Sequence, residues 1–436
     1  MVGPDEGSNY RRLFRNPGYV RVFTAGLGSI AGSAIAGVCL IWIVFARTGS
    51  AIDVALLGAV GVIAGIVFSV FGGAWVDRYD RRRLMILSDF VRAAAMSGVV
   101  ADLELRGFDL PVVLTAYFVL GAFSTIFNPA EQAILPSLVG PDMVADANGL
   151  VRSSRSALQF AGTAVGGALI VTVGPTVGVV ANAATFLLSG FLLLGMQVAP
   201  HLRYASAGLP EYFSDVRAGF RWLWRARGFL ELTLSATCFN FCSGIIGTFL
   251  VVYSTDVLHG SGLVFASLLA AEVAGVGLGS VLVGPTRGVR WAGRAWVIPY
   301  GVVSPIVAFS FILFPSALVA IVGLFGLGLL GGYAGTAWLT AAQLIVPSEM
   351  QGRYFGIDNL GSVVIVPVAQ IGGAFLIVAW GVQSTFLAAA VLWLAAGVAF
   401  LAPRALWNLG YRGGVIPRTG AGATGTTGSR GGTRGG

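Results

Sequence analysis

Twelve long apolar runs follow one another along the chain, each separated from the next by a short cluster of Gly, Pro, Ser, Asp or Arg. A helix needs ~20 apolar residues to cross the hydrocarbon layer. The pattern therefore predicts spans near Tyr19–Phe45, Ala51–Val76, Leu84–Ala101, Pro111–Ala133, Gly149–Val173 and Val177–Val198. A second set follows near Phe229–Tyr253, Gly262–Pro285, Ala295–Phe314, Ala317–Ala341, Phe355–Trp380 and Ser384–Leu401. The predicted class is an all-α integral membrane protein of about twelve transmembrane helices in two six-helix, pseudo-symmetric halves. Its expected parts are an N-terminus (1–18), a first half (19–198), a linker (199–228), a second half (229–402) and a disordered tail (403–436).

Composition agrees with the pattern. With 56% hydrophobic and 11% charged residues, 436 residues supply too little polar surface for a water-soluble fold. The polar, basic start lacks a small-residue cleavage site behind its first apolar run, so no cleavable signal peptide is expected.

All 27 basic residues are arginines, and 24 of them fall on one side of the predicted spans; only Arg47, Arg92 and Arg106 lie elsewhere. By the positive-inside rule this side is cytoplasmic, which predicts a multi-pass cell-membrane protein with both termini inside. Segment 199–228 mixes Tyr212, Phe213, Phe220, Trp222 and Trp224 with Arg217, Arg221, Arg225 and Arg227, the pattern of an amphipathic helix on an anionic inner leaflet. The tail carries two Arg-Gly-Gly triplets, read as solvated chain near lipid rather than a nucleic-acid contact. Anionic lipid is the expected partner of the inner arginines, and the chain is expected to be a monomer.

Candidate chemistry is sparse. His201 and His259 lie in predicted loops, and no carboxylate cluster accompanies them, so an enzyme is not expected. Cys238 and Cys242 share a helical face without His or carboxylate neighbours, so they read as packing rather than a metal site. No cofactor is expected. A chain without lysine cannot form a Walker A motif, so any work it does draws on a gradient or a separate subunit.

The sequence repeats internally. Gln132–Ser137 matches Gln343–Ser348 at an offset of 211 residues, and Gly73/Gly284, Asn148/Asn359 and Gln159/Gln370 keep that offset. Several pairs at one offset, each at the same depth of corresponding spans, predict duplicated six-helix units.

Between spans two and three stand Gly73, Asp77, Arg78, Tyr79, Asp80, Arg81, Arg82 and Arg83. This loop resembles the signature loop of the major facilitator superfamily, with Asp80 where the family usually has Gly. Asn16-Pro17, Thr48-Gly49-Ser50, Leu135-Pro136-Ser137, Ala147-Asn148, Pro347 and Gly352-Arg353 are similar to its drug, macrolide and siderophore exporters, over roughly Asn16 to Pro403. The resemblance implies a secondary transporter that exports a moderately hydrophobic small molecule by alternating access, with protons as coupling partner. It implies a gate at Gly73, Asp77, Arg78, Arg81 and Arg82. Gly162, Gly166 and Gly167 are similar to the family's antiporter motif, with Thr163 where that motif has Pro. The Arg that many drug–proton antiporters place in span four is absent. A nutrient importer or facilitator of the same fold is the alternative, and a membrane-embedded enzyme a remote one.

An ionisable group within hydrocarbon is a functional candidate by default. Glu272, about ten residues into span eight and followed by Gly275, Gly277 and Gly279, suits proton coupling or substrate contact. Gln159, Asn240 and Gln370, near the centres of spans five, seven and eleven, are candidate cavity donors and acceptors. Asp89 and Arg92 stand at i, i+3 and are expected to pair in span three. Glu131, Glu231 and Asp358 fall at inner span ends and are expected to have no special role. Pro305 and Pro367 predict kinks.

Overall fold

The structure is a computed structural model describing residues 6–140, 143–196, 217, 221, 223–286, 288–346 and 348–409. The side chains of 70–74, 76–78 and most of 347–363 lie outside that description, as do the predicted linker helix, save a few residues at its end, and the tail beyond 409. Every regular element among the described residues is helical.

Six long helices form the first half: α1 (Pro17–Thr48), α2 (Ala51–Arg78), α3 (Arg81–Leu105), α4 (Leu110–Val139), α5 (Val144–Thr172) and α6 (Thr176–Leu194). The second half contains α7 (Arg227–Thr248), α8 (Gly262–Leu282), α9 (Gly288–Leu313), α10 (Ala317–Ile345), α11 (Ser348–Trp380) and α12 (Val382–Ala399). Ten of the twelve are long and apolar enough to cross a membrane. The other two are α5, whose apolar stretch contains Arg155 and Gln159, and α11, which contributes the shorter apolar stretch Val364–Trp380.

Local chemistry sets the boundaries. Asn16 caps α1, accepting from the N–H groups of Gly18 and Tyr19, and Pro17 starts the helix where its missing N–H costs nothing. Gly49 ends α1 at φ +62°, a left-handed position suited to glycine, and Ser50 accepts from Asp53 N–H at 3.2 Å to open α2. Asp80 does the same for α3, accepting from Arg83 N–H at 2.8 Å. The carboxylate that departs from the family pattern is therefore a helix cap.

The kink expected at Pro305 is a wider feature. Trp296–Val303 forms a π-helix, in which Ser304 N–H reaches back to Pro299 carbonyl just before Pro305, which has no N–H to give.

Packing repeats between the halves. Helix α1 packs on α5 and α6, α2 on α4, and α3 on α4 and α6; likewise α7 packs on α11 and α12, α8 on α10, and α9 on α10 and α12. The halves join through α2 against α11 and α5 against α8. At that seam Gly58 meets Gln370, Gly167 meets Ala266, Gly262 meets Ile170, and Trp42 stacks on Phe265 at 5.9 Å. These contacts lie toward the Arg-poor ends of the helices.

The tightest helix contact is α8 on α10. A Cβ at Gly275 or Gly279 would strike the Phe325 or Leu329 carbonyl, and one at Gly328 or Gly332 would strike the Glu272 or Val276 carbonyl. Each helix thus offers two glycines four residues apart, and the backbones interlock. Gly277, which stands between Gly275 and Gly279, has open space where a Cβ would go.

Replacing a contact glycine forces the backbones apart, an overpacking cost of ~1–3 kcal/mol. Gly328→Leu should lower the melting temperature of the purified protein in a heating series followed by size-exclusion chromatography, whereas Gly277→Leu should leave it unchanged or raised.

Candidate functional site

Within the second half, α7, α8, α9, α10 and α12 surround a cavity of about 570 Å³. Asn240 and Ser243 enter from α7, Glu272 from α8, Trp296 and Tyr300 from α9, and Trp393 from α12, while α10 presents Gly328, Gly331, Gly332, Gly335 and Thr336. Two sequence candidates, Glu272 and Asn240, thus share one cavity. Glu272 is half-buried, and among the described residues no cation and no hydrogen-bond donor meets its carboxylate. Among the described residues Tyr300 is the only other titratable side chain in the lining.

Three rings were not foreseen. Trp296 and Tyr300 lie 5.2 Å apart and Tyr300 and Trp393 5.1 Å apart between centroids, with Phe239 behind them. Tyr300 donates to Ser243 Oγ at 3.2 Å and the Trp296 indole N–H to Ser235 Oγ at 3.0 Å, which fixes both rings. The signal available in sequence was the comparison of repeats, since at the 211 offset Trp296 and Tyr300 face Met85 and Asp89.

The first half has a matching cavity of about 420 Å³. Seven lining positions recur at the 211 offset: Ser33/Gly244, Ala36/Gly247, Gly61/Glu272, Tyr117/Gly328, Leu120/Gly331, Gly121/Gly332 and Ser124/Gly335. Gln370 reaches into this cavity from α11, with its Nε2 3.5 Å from Thr248 Oγ1, and Asn182 lines it with both amide atoms buried and unpartnered.

The offset does not hold to the end. The turn glycines Gly174 (φ +97°) and Gly381 (φ +79°) are 207 residues apart, and the contact of Gly190 with Phe90 recurs as Gly397 with Gly301, again with α12 at 207. Gly381 follows Asn359 by four residues fewer than Gly174 follows Asn148, so one turn is missing from that stretch of α11 relative to α5. At 207 the counterpart of Gln370 is Thr163, buried like it, whereas Gln159 is exposed on α5. The sequence pairing of Gln159 with Gln370 is therefore shifted by one turn, and the two do not share a cavity.

Asp89, Arg92 and Glu131, all buried in the first half, are ion-paired. Asp89 and Arg92 meet at 2.5 Å as expected, both buried; Ser189 donates to Asp89, and the Arg92 guanidinium lies 4.5 and 4.4 Å from the ring centres of Phe127 and Phe186. Glu131 corrects the expectation of no special role. It is buried, ion-paired with Arg155 of α5, and close enough to Arg92 for the two to act on each other electrostatically. With Gln132, Asn148 and Ser156 this pair lines a cavity of about 490 Å³ near the Arg-rich end. Asp358 is likewise buried, accepting from Thr233 at 3.1 Å, and Glu231 accepts from Leu406 N–H at 2.9 Å.

Of the predicted gate, Arg81 donates to the Ala133 carbonyl at 2.7 Å, and Arg82 to the Leu193 carbonyl at 2.9 Å and to that of Leu194. These last are C-terminal carbonyls of α6 that a cation satisfies well. The side chains of Gly73, Asp77 and Arg78 lie outside the described residues.

Removing one partner of a buried pair leaves the other bare, at a cost of ~3–5 kcal/mol. Arg92→Ala should lower thermal stability sharply, and the double variant Asp89→Asn/Arg92→Gln should recover part of the loss in the same melting assay.

The architecture has known counterparts. The nucleoside transporter NupG superposes with a TM-score of 0.68 at 13% identity, covering 88% of this chain and 98% of that one. A D-xylose-proton symporter gives 0.66 at 13% identity, covering 90% and 99%. Among characterised sequences, the multidrug efflux pump Tap of Mycobacterium tuberculosis is 26% identical over 401 residues, 87% of this chain and 92% of that protein. Macrolide efflux protein A of Streptococcus pyogenes is 25% identical over 259 residues, 59% of this chain and 63% of that protein. The family profile of the Major Facilitator Superfamily matches residues 22–369, and the chain belongs to that superfamily as a multi-pass membrane transporter.

Proposed function

We propose that this transporter exports a moderately hydrophobic small molecule across the cell membrane in exchange for protons, with Glu272 carrying the proton. The observation that carries the reading is a carboxyl group exposed to a cavity in the middle of a span, with no cation beside it among the described residues. Such a group is costly to keep charged and can be neutralised by a proton or a ligand, and this alternation is what coupling requires. Export is supported by the printed functions of the two efflux relatives. A symporter shares the fold, so direction rests on experiment.

In this reading residues 19–198 and 229–402 rock against each other, and the arginines hold both termini and the linker on the cytoplasmic side against anionic lipid. Gly73, Asp77, Arg78, Arg81 and Arg82 form the gate between α2 and α3. Asn240 contacts substrate beside Glu272, Gln370 contacts it from the first-half cavity, and the protein works as a monomer.

In proteoliposomes, an imposed pH gradient should drive movement of a fluorescent dye such as Hoechst 33342, and Glu272→Gln should abolish the dependence on the gradient while leaving downhill flux. Gradient-driven transport that survives in the variant removes Glu272 from coupling. Accumulation of the dye in cells making the wild-type chain, instead of resistance to it, reverses the direction.

A further inference from the structure

We propose that the second-half cavity binds an organic cation, an amine or onium group, with Glu272 as its counter-ion and the rings of Trp296, Tyr300 and Trp393 as its walls. This builds on the transport reading and adds the charge of what enters.

The charge argument comes first. The other buried acids among the described residues have partners: Asp89 has Arg92 and Ser189, Glu131 has Arg155, Asp358 has Thr233, and Asp102 accepts from Asp109 N–H on one of its oxygens. Glu272 has none among the described residues, yet it faces about 570 Å³ of space. Among the described residues no Arg or His shares that lining, so an anion would meet the Glu272 carboxylate and a cation would find an opposite charge there.

The rings make the same selection by a different interaction. An aromatic face carries negative charge and attracts a cation within ~6 Å of its centre, most strongly where water is excluded. Trp296, Tyr300 and Trp393 form a continuous chain of ring contacts lining the same cavity as Glu272.

The duplication shows that two of the rings and the carboxylate are not demanded by the fold. Helix α3 packs on α4 and α6 as α9 packs on α10 and α12, yet α3 has Met85 and Asp89 where α9 has Trp296 and Tyr300. Helix α2 has Gly61 where α8 has Glu272. Among the described residues the matched first-half cavity has no carboxylate in its lining. Carboxylate and rings therefore occur together in the one half, on a common set of helix positions. The volume lies within the ~300–1,000 Å³ typical of small-molecule sites.

The test uses two probes of one size and shape with opposite charge, tetraphenylphosphonium and tetraphenylborate, on the purified full chain in detergent. Saturable binding of the phosphonium and weaker or no saturable binding of the borate are expected. Glu272→Gln should weaken phosphonium binding about tenfold or more, and Tyr300→Leu and Trp393→Leu by about three- to tenfold each. Glu272→Asp and Tyr300→Phe, which keep the charge and the ring, should retain most of it and show that the loss is not misfolding. Equal binding of the two probes, or phosphonium affinity unchanged in Glu272→Gln, overturns the proposal.

The proteoliposome assay separates this from the coupling reading. Loss of gradient dependence in Glu272→Gln without selective phosphonium binding leaves coupling standing and removes the cation site. Selective phosphonium binding that needs Glu272, with gradient-driven transport intact in the variant, does the reverse.

Discussion

The close approach of α8 and α10 through glycine is the contact on which the second half depends. Because Gly275, Gly279, Gly328 and Gly332 have no side chains, the two backbones touch directly, at Glu272 and Val276 on one side and Phe325 and Leu329 on the other. A hydrocarbon solvent gives apolar side chains no reason to leave it, so helices in a membrane associate by close packing, and small residues permit the closest. The same absence of side chains opens space: Gly328, Gly331 and Gly335 line the cavity where the first half has Tyr117, Leu120 and Ser124. The volumes, about 570 and 420 Å³, follow the substitution. One glycine-rich helix both builds the half and hollows it.

The halves solve the problem of buried charge differently. The first neutralises its acids internally, with Asp89 against Arg92 and Glu131 against Arg155, and wraps the Arg92 guanidinium between two phenylalanine rings. A buried pair of this kind is costly to break and adds little by forming, so it fixes geometry. The second half leaves Glu272 open to a cavity and satisfies Asp358 with a hydroxyl. Ion-paired acids in the first half against a carboxylate open to a cavity in the second is a difference that a perfect duplication would not provide.

Much of this was legible along the chain. Apolar run lengths mark the spans because hydrocarbon thickness sets them, and Asp89–Arg92 could be paired because i, i+3 lies on one helical face. Glu272 stood out as a charge in the middle of an apolar run. Glu131 and Arg155 did not, since 24 residues and a turn separate them and only the crossing of α4 and α5 brings them together. The rings around Glu272 were invisible as a group because they come from two helices, α9 and α12, and because aromatic residues are common in any apolar span. The missing turn in α11 escaped notice because a four-residue shift returns nearly to the same face of a helix, so Gln159 and Gln370 matched in sequence while Thr163 and Gln370 match in space.

That missing turn also bears on the seam between the halves. The loss of one turn within α11 puts Gln370, instead of a residue like Thr163, against Gly58 of α2, where a Cβ would leave it no room. Its amide reaches Thr248 only at 3.5 Å, and its Oε1 is buried without a partner. The other contacts here are Gly167 on Ala266, Gly262 on Ile170 and the stacked rings of Trp42 and Phe265. Among the described residues no ion pair crosses this seam. Parting it would break van der Waals contact and expose an amide already short of a partner, while the weak Gln370–Thr248 hydrogen bond, between α11 and α7, stays within the second half. The ion pairs that would resist such a motion, Asp89–Arg92 and Glu131–Arg155, both lie within the first half and move with it. Strong interactions hold each half together, weak ones hold the halves to each other, and that ordering is what rigid-body rocking requires.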